Sequence, residues 1–206
     1  MYKFPYYTEA DEEKVLAFMK SNPFATIIGI GEQYPVASHI PLEVAIQPGG
    51  KIVLSGHLMK KTDHHLAFEK NENVLVIFSG PHTHVSASWY TNPTVGSTWD
   101  YMVVHAKGKI IFKDEQGTYE AVKNITDKYE GFDKPSSFDK LPKDYIDKML
   151  KAIVGFYIEV ESLENTFKLS QNRDKESKQN IIEALYKRGD DNSRAIAKEI
   201  LSRLTD

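Results

Sequence analysis

The stretch "VLVIFSGPHTHVSASWY", Val74 to Tyr90, carries much of the information about the fold. It opens on β-branched and aromatic residues, breaks at Ser79-Gly80-Pro81-His82, and resumes as an alternation that closes on two adjacent aromatics. That composition reads as a strand "NVLVIFS", a turn at "SGPH" and a second strand "THVSAS". In extended chain alternate side chains share a face, so His82 and His84 point the same way. They are either two metal ligands or part of a pocket wall, and the remaining residues decide which.

Outward from this stretch the texture stays β-like. "FATIIGI", "PVASHIPLEV", "KIVLSGH", "WDYMVVHAKGKIIF" and "VGFYIEVESLE" are short runs of strand formers, and "QPGGK" supplies a further turn. Helices are few and peripheral. "TEADEEKVLAFMKSNP" has Thr8 as a cap, acids in its first turn and Val15, Phe18 and Met19 on one face before Pro23. Asp63 to Lys70, Thr118 to Tyr129 and "PKDYIDKMLKAI" read as three more. Many short strands with a few outlying helices predict an antiparallel barrel rather than βαβ units. The tail differs. "DKESKQNIIEALYKRG" and "DDNSRAIAKEILSRL" read as two helices joined near Gly189, with Asp191, Asn192 or Ser193 to cap the second. Their narrow apolar stripes suit a hairpin packed on the barrel or on a second subunit. The expected division is a barrel domain over residues 1–172 and a helical hairpin over 173–206.

Composition narrows the function classes. The chain has 206 residues, 41% hydrophobic and 27% charged, which is ordinary for one globular domain. A net charge of -3 gives no overall attraction to nucleic acid or an anionic membrane. With no cysteine, disulfides, thiolate metal sites, iron–sulfur clusters and cysteine nucleophiles are excluded. The N-terminal residues lack the apolar core of a signal peptide and no segment is long and apolar enough to span a bilayer, so the expected location is cytoplasmic.

Among motifs, "GIGEQY" offers two dinucleotide-binding glycines, but Tyr34 stands where the third belongs and a proline-led strand follows. No Walker loop, HExxH or GxSxG is present. The seven histidines are His39, His57, His64, His65, His82, His84 and His105. No carboxylate accompanies the His82/His84 pair at ligand spacing, so no metal site is expected. His64 and His65, adjacent at a helix start, read as surface residues. A richer constellation comes from "LSGHLMKK", "SASWY", "STWDYMVVH" and "TFKLSQN", which supply Lys60, Lys61 and Lys168 together with hydroxyls, an amide and aromatics. Strand-end lysines suit a phosphate and flat aromatic walls suit a flat ring, whose polar edge Ser170, Gln171 and main-chain groups could read. Singly, Trp89 and Trp99 read more readily as core and the lysines as solvated. Together, on a barrel, they favour a flavin mononucleotide (FMN) pocket.

"ASHIPLE", "SGHLMKK", "VLVIFSGPHTHVSASWY", "STWDYMVVHAKG", "MLKAIVGFYIEV" and "FKLSQNR" occur in the order seen in the PaiB family of PAI-2-type transcriptional regulators, which the chain resembles over essentially its whole length. The resemblance implies a mainly β split barrel of the FMN-binding, pyridoxine phosphate oxidase-like type, in a homodimer, with negative regulation of sporulation and degradative enzyme synthesis as its role. The flavin site it implies draws on His39, Ser55, Gly56, His57, Lys60 and Lys61, and on His84, Ser86, Ser88, Trp89, Trp99, Lys168, Ser170 and Gln171. Members often carry Ala-Arg-Ala-Asn where this chain has Met59-Lys60-Lys61-Thr62, so an arginine fork is replaced by lysine. Asp100 stands where Asn is common, His84 where Tyr is common, and Ala87 where Pro is common.

Three function classes follow: an FMN-binding repressor of transcription, an FMN-dependent oxidoreductase, and a haem-handling relative for which His39 and His105 are candidates. A helix-turn-helix reading of the tail is weak. From Arg173 to Asp206 there are 8 basic and 7 acidic residues, a net of +1, and Asp190 and Asp191 at the turn would face phosphates badly. The tail is expected to pack, not to read DNA.

Overall fold

The computed structural model describes residues 4–204; positions 1–3 and 205–206, the outer ends of the two expected domains, lie outside the described residues. The chain runs through α1 (Glu12–Ser21), β1 (Phe24–Gly29), β2 (Val36–Pro41), β3 (Glu43–Ile46), β4 (Ile52–Met59), α2 (Asp63–Lys70), β5 (Asn73–Val85), β6 (Thr98–Phe112), α3 (Glu115–Glu130), α4 (Lys143–Ala152), β7 (Ile153–Lys168), α5 (Lys175–Arg188) and α6 (Asp191–Ser202). The strands form one sheet in the order β2-β1-β5-β6-β7-β4-β3. Every strand pair with an assigned register is antiparallel.

That order forces curvature. β2 and β3 are the two edges of the sheet, yet only Leu42 separates them. Seven flat strands would put the edges about 29 Å apart at roughly 4.8 Å per step. The two residue-to-residue steps from Pro41 to Glu43 span at most about 7 Å. The sheet therefore curls until its edges meet. Leu42 is buried at the corner, and its N–H donates to the Pro23 carbonyl at 2.8 Å. Gly56 on β4 makes the room: a Cβ there would press on the Leu42 side chain at 3.0 Å and the Phe156 ring at 3.1 Å.

By contact density the chain forms two compact units. One comprises Met19–Phe78 and His105–Leu163; the other comprises Met1–Phe18, Ser79–Val104 and Glu164–Asp206. This partition differs from the 1–172/173–206 division, because the tail clusters with the middle segment. In the first unit Ala25, Ile27, Leu54, Val76, Phe78, Phe156 and Ile158 are fully buried by the period-2 alternation of their strands. In the second, Val85, Phe167, Ile181, Leu185 and Ile196 are buried.

Several local expectations are corrected. "SGPH" is not a turn; it lies inside the single 13-residue strand β5. A Cβ at Gly80 would collide with the Phe18 ring, so this glycine permits close helix packing instead of reversing the chain. α1 is capped by Asp11, whose carboxylate accepts from the N–H groups of Glu13 (3.0 Å) and Lys14 (3.3 Å), and not by Thr8. The third helix starts three residues early because Asp114 accepts from Gly117 N–H at 2.8 Å.

The tail is a helical hairpin with a repeated clasp that the sequence reading overlooked. α5 is capped by Asp174, which accepts from Ser177 N–H (2.8 Å) and Ser177 Oγ (2.6 Å). α6 is capped by Asp190, not by the three residues after it, through the same bonds to Ser193 (2.9 and 2.6 Å). Each serine is fully buried and meets a threonine: Thr91 N–H donates to Ser177 Oγ at 3.0 Å, and Thr83 Oγ1 lies 3.0 Å from Ser193 Oγ. These bonds hold both Asp174, at about 2, and Asp190 below the usual carboxylate range, so the clasps persist through neutral pH. Gly189 joins the helices at φ 80°, a left-handed position that closes α5 through its N–H to Leu185 O. Ser193→Ala removes one clasp and leaves buried Thr83 short of a partner. Thermal unfolding should show a loss of about 1–3 kcal/mol, or roughly 3–10 °C.

Candidate functional site

The expected site residues fall in both compact units, and each group is built by its own strands. On β4, Ser55 and His57 share the half-buried face, while Leu54, Gly56 and Leu58 face the core. His57 pairs with Gly155 across the β4/β7 ladder. Burial pushes its imidazole below the ordinary histidine range, and its Nδ1 is buried with no hydrogen-bond partner. A neutral ring with an uncommitted nitrogen can donate or accept.

At the end of β4, Lys60 donates its backbone N–H to Ala152 O at 2.8 Å and its ammonium to Leu150 O at 3.4 Å, closing the C-terminus of α4. Lys61 takes a left-handed conformation, φ 64°, and its N–H donates to His65 Nδ1 at 3.4 Å. Both lysines are exposed, and among the described residues neither pairs with an acidic side chain. His65, expected at the surface, is buried against the Phe112 ring, with centroids 5.0 Å apart. His39 lies exposed on β2, opposite Thr26, with its ring stacked near Phe24.

The second group lies around the ends of β5, β6 and β7. His82 and His84 do share a face, and both flank the Trp99 ring at 6.2 and 6.0 Å. Trp99 is 55% exposed and Trp89 is half-buried, so neither indole is core. Arg188 sits 4.9 Å over the Trp89 ring and donates to Thr83 Oγ1 and His84 O, each at 2.8 Å. Ser86 and Ser88 bond each other at 2.8 Å. Among the described residues no group of three or more histidines and acids could hold a metal.

Lys168, Ser170 and Gln171 form a turn whose polar atoms are largely committed. The Lys168 ammonium donates to Thr98 Oγ1 and lies 5.8 Å over the Tyr7 ring. Gln171 folds back, accepting from Leu169 N–H at 2.7 Å and donating to Phe167 O, so its amide serves its own backbone. Ser170, buried at φ 56°, donates to Asp100 Oδ2 at 2.7 Å. The residue that sequence reasoning undervalued is Asp100. It is completely buried, its Oδ1 has no hydrogen-bond partner, and burial pushes its carboxyl up to about 6. The signal was present: Asp100 keeps step with buried Met102, Val104 and Ala106 on the core face of β6, opposite Trp99.

A 630 Å³ apolar pocket also opens in the first unit, lined by residues 28–31, 33–35, 73–75, 107, 108 and 161. It contains none of the expected site residues.

Residues 1–162 match the family model described as "Putative FMN-binding domain". Over 205 residues, 99% of this chain and 98% of the relative, the sequence is 33% identical to the protease synthase and sporulation protein PAI 2 of Bacillus subtilis. The chain belongs to the PaiB family. An uncharacterized protein of Aspergillus fumigatus is 27% identical over 90% of this chain and 91% of its own length. The fold is also that of solved flavoproteins. The FAD and haem binding protein from Mycobacterium smegmatis superposes with TM-score 0.60 at 14% identity, covering 79% of this chain and 73% of that one. The flavocytochrome Anf3 from Azotobacter vinelandii gives 0.60 at 13% identity, over 81% and 72%. The curled antiparallel sheet of this PaiB member is thus a flavin-type split barrel, and FMN is the cofactor of its family domain. The residues present suit that group: Lys60 and Lys61 are exposed cations that fit a phosphate, Lys60 by exchanging its bond to Leu150 O, and the His57 Nδ1, without a partner among the described residues, fits a polar ligand atom.

The Asp100 carboxyl titrates near 6 in the folded chain against 3.8 ordinarily, so the folded state holds its proton more tightly. Its contribution to stability is full below pH 3.8 and is lost as pH rises through about 6. Urea unfolding from pH 4 to pH 7 should show Asp100→Asn gaining up to about 3 kcal/mol relative to wild type.

Proposed function

We propose that this PaiB-family chain is an FMN-binding regulator acting as a cytoplasmic homodimer, with Lys60 and Lys61 holding the flavin phosphate. The observation that carries the reading is the pair of exposed lysines at the end of β4, unpaired with any acid and close in sequence to a histidine with a buried, uncommitted nitrogen. Ser55, Gly56, His57 and His39 would complete that side. In the other compact unit, Trp99 with His84, Trp89 with Ser86 and Ser88, and the Lys168–Gln171 turn form a second candidate group whose flat aromatic surfaces suit a flavin ring. Bound FMN supplies one- and two-electron redox chemistry.

A regulatory role is supported by the name of the Bacillus subtilis relative, a protease synthase and sporulation protein. Direct DNA reading is not: the start of α6, which would lead a recognition helix, is clasped to Thr83 through Ser193. Regulation through partners or the flavin's redox state fits better. The oxidoreductase alternative is supported only by the fold shared with a flavocytochrome. A visible spectrum of fresh protein separates flavin from haem.

Lys61→Gly removes a cation while relieving the left-handed strain at that position, so the fold should hold. FMN affinity should fall about tenfold, in line with a charge-assisted bond of roughly 1.5–3 kcal/mol, and riboflavin affinity should stay unchanged. Lys60→Gln should act the same way, with some loss of stability at α4. Equal losses for FMN and riboflavin would assign the lysines to the fold rather than to the phosphate. Light scattering at micromolar concentration should show a dimer; a monomer would refute the quaternary part.

A further inference from the structure

We infer that Asp100 is a positioning residue of the flavin site, fixing the Leu169–Gln171 turn through Ser170, and that its proton is linked to cofactor binding. This rests on the flavin reading above.

β6 anchors the turn at two points on one face. Thr98 takes the Lys168 ammonium, and Asp100, two residues on, takes the Ser170 hydroxyl at 2.7 Å. The anchored serine is held in a left-handed conformation that non-glycine residues seldom adopt. On the opposite face of the same strand stands exposed Trp99, flanked by His82 and His84. Asp100 thus lies behind the aromatic surface and under the turn, touching both through one neighbour each.

The anchor is costly. An ionised carboxylate with one buried oxygen lacking a partner is disfavoured, and an asparagine of the same shape would avoid the charge. The charged and titratable groups facing Asp100 are Lys168 from β7, Arg173 from the following segment, Tyr7 from the N-terminal turn at Pro5–Tyr7, and Tyr90 beyond β5. Burial raises both phenols, Tyr7 to about 12, so they stay neutral. Within this set Asp100 is the group whose charge changes between pH 5 and 8. Ionised, it cancels part of the field of Lys168 and Arg173 and repels an electron-rich ligand. Flavin binding therefore favours the protonated carboxyl and takes up a proton, and affinity falls as pH rises.

The test is FMN titration by fluorescence quenching, with wild type and Asp100→Asn compared from pH 5 to 8. The phosphate's own ionisation cancels in the ratio of the two dissociation constants. That ratio, wild type over variant, should be near one at pH 5 and reach about fivefold by pH 8. A ratio constant across pH, whatever its size, marks a purely structural residue and overturns the inference. Should the variant fail to fold, riboflavin added to wild type in weak buffer at pH 6.5 should take up a fraction of a proton per site, and no uptake overturns it equally. Wild type that binds no flavin at any pH refutes the flavin reading itself, and this inference with it.

Discussion

One residue, Leu42, imposes the architecture. Because it alone joins the two edge strands of the sheet, the strands between them have to curl, and the curl decides which face of each strand is interior. The corner is tight at Gly56 on the facing strand, next to His57, where a Cβ would crowd the Leu42 side chain at 3.0 Å. The barrel's closure and the placement of the candidate phosphate-binding strand therefore come from the same contact. The two edge strands are short, β3 with four residues and β2 with six.

A second constraint governs the other compact unit. The paired Asp–Ser–Thr clasps fix both tail helices by their N-termini, where backbone donors lack intrahelical partners. The two threonines, Thr83 and Thr91, bracket the segment bearing His84, Ser86, Ser88 and Trp89. The tail thus braces a candidate site wall. The N-termini of both tail helices are committed to these clasps.

The strand pattern, the helices and the tail hairpin were legible from periodicity and composition, because burial on one face writes itself into the sequence every two or every three to four residues. The failures have local causes. Gly80-Pro81 resembles a turn, but the glycine answers to the Phe18 ring, a contact from a distant segment. Asp191, Asn192 and Ser193 all look like caps for α6, but the cap is Asp190, one residue earlier, which only the geometry shows. Ser170 and Gln171, candidates to read a ligand, also serve the turn itself, one through Asp100 and the other through its own backbone, a role that only the geometry shows. Trp99 looks like core and stands in solvent. Asp100 was the inverse case: its place in the buried phase of β6 was readable, but a charged side chain in that phase is discounted until its partners are seen.

The division of the chain into units has a consequence for biosynthesis. The unit made of Met19–Phe78 and His105–Leu163 has all its residues once position 163 has left the ribosome. The other cannot be completed until position 193 has emerged, since Thr91 waits for Ser177 and Thr83 for Ser193. A nascent or prematurely terminated chain therefore carries a finished unit beside an unbraced one. The segment from His84 to Trp89 is therefore among the last parts of its unit to acquire its supports.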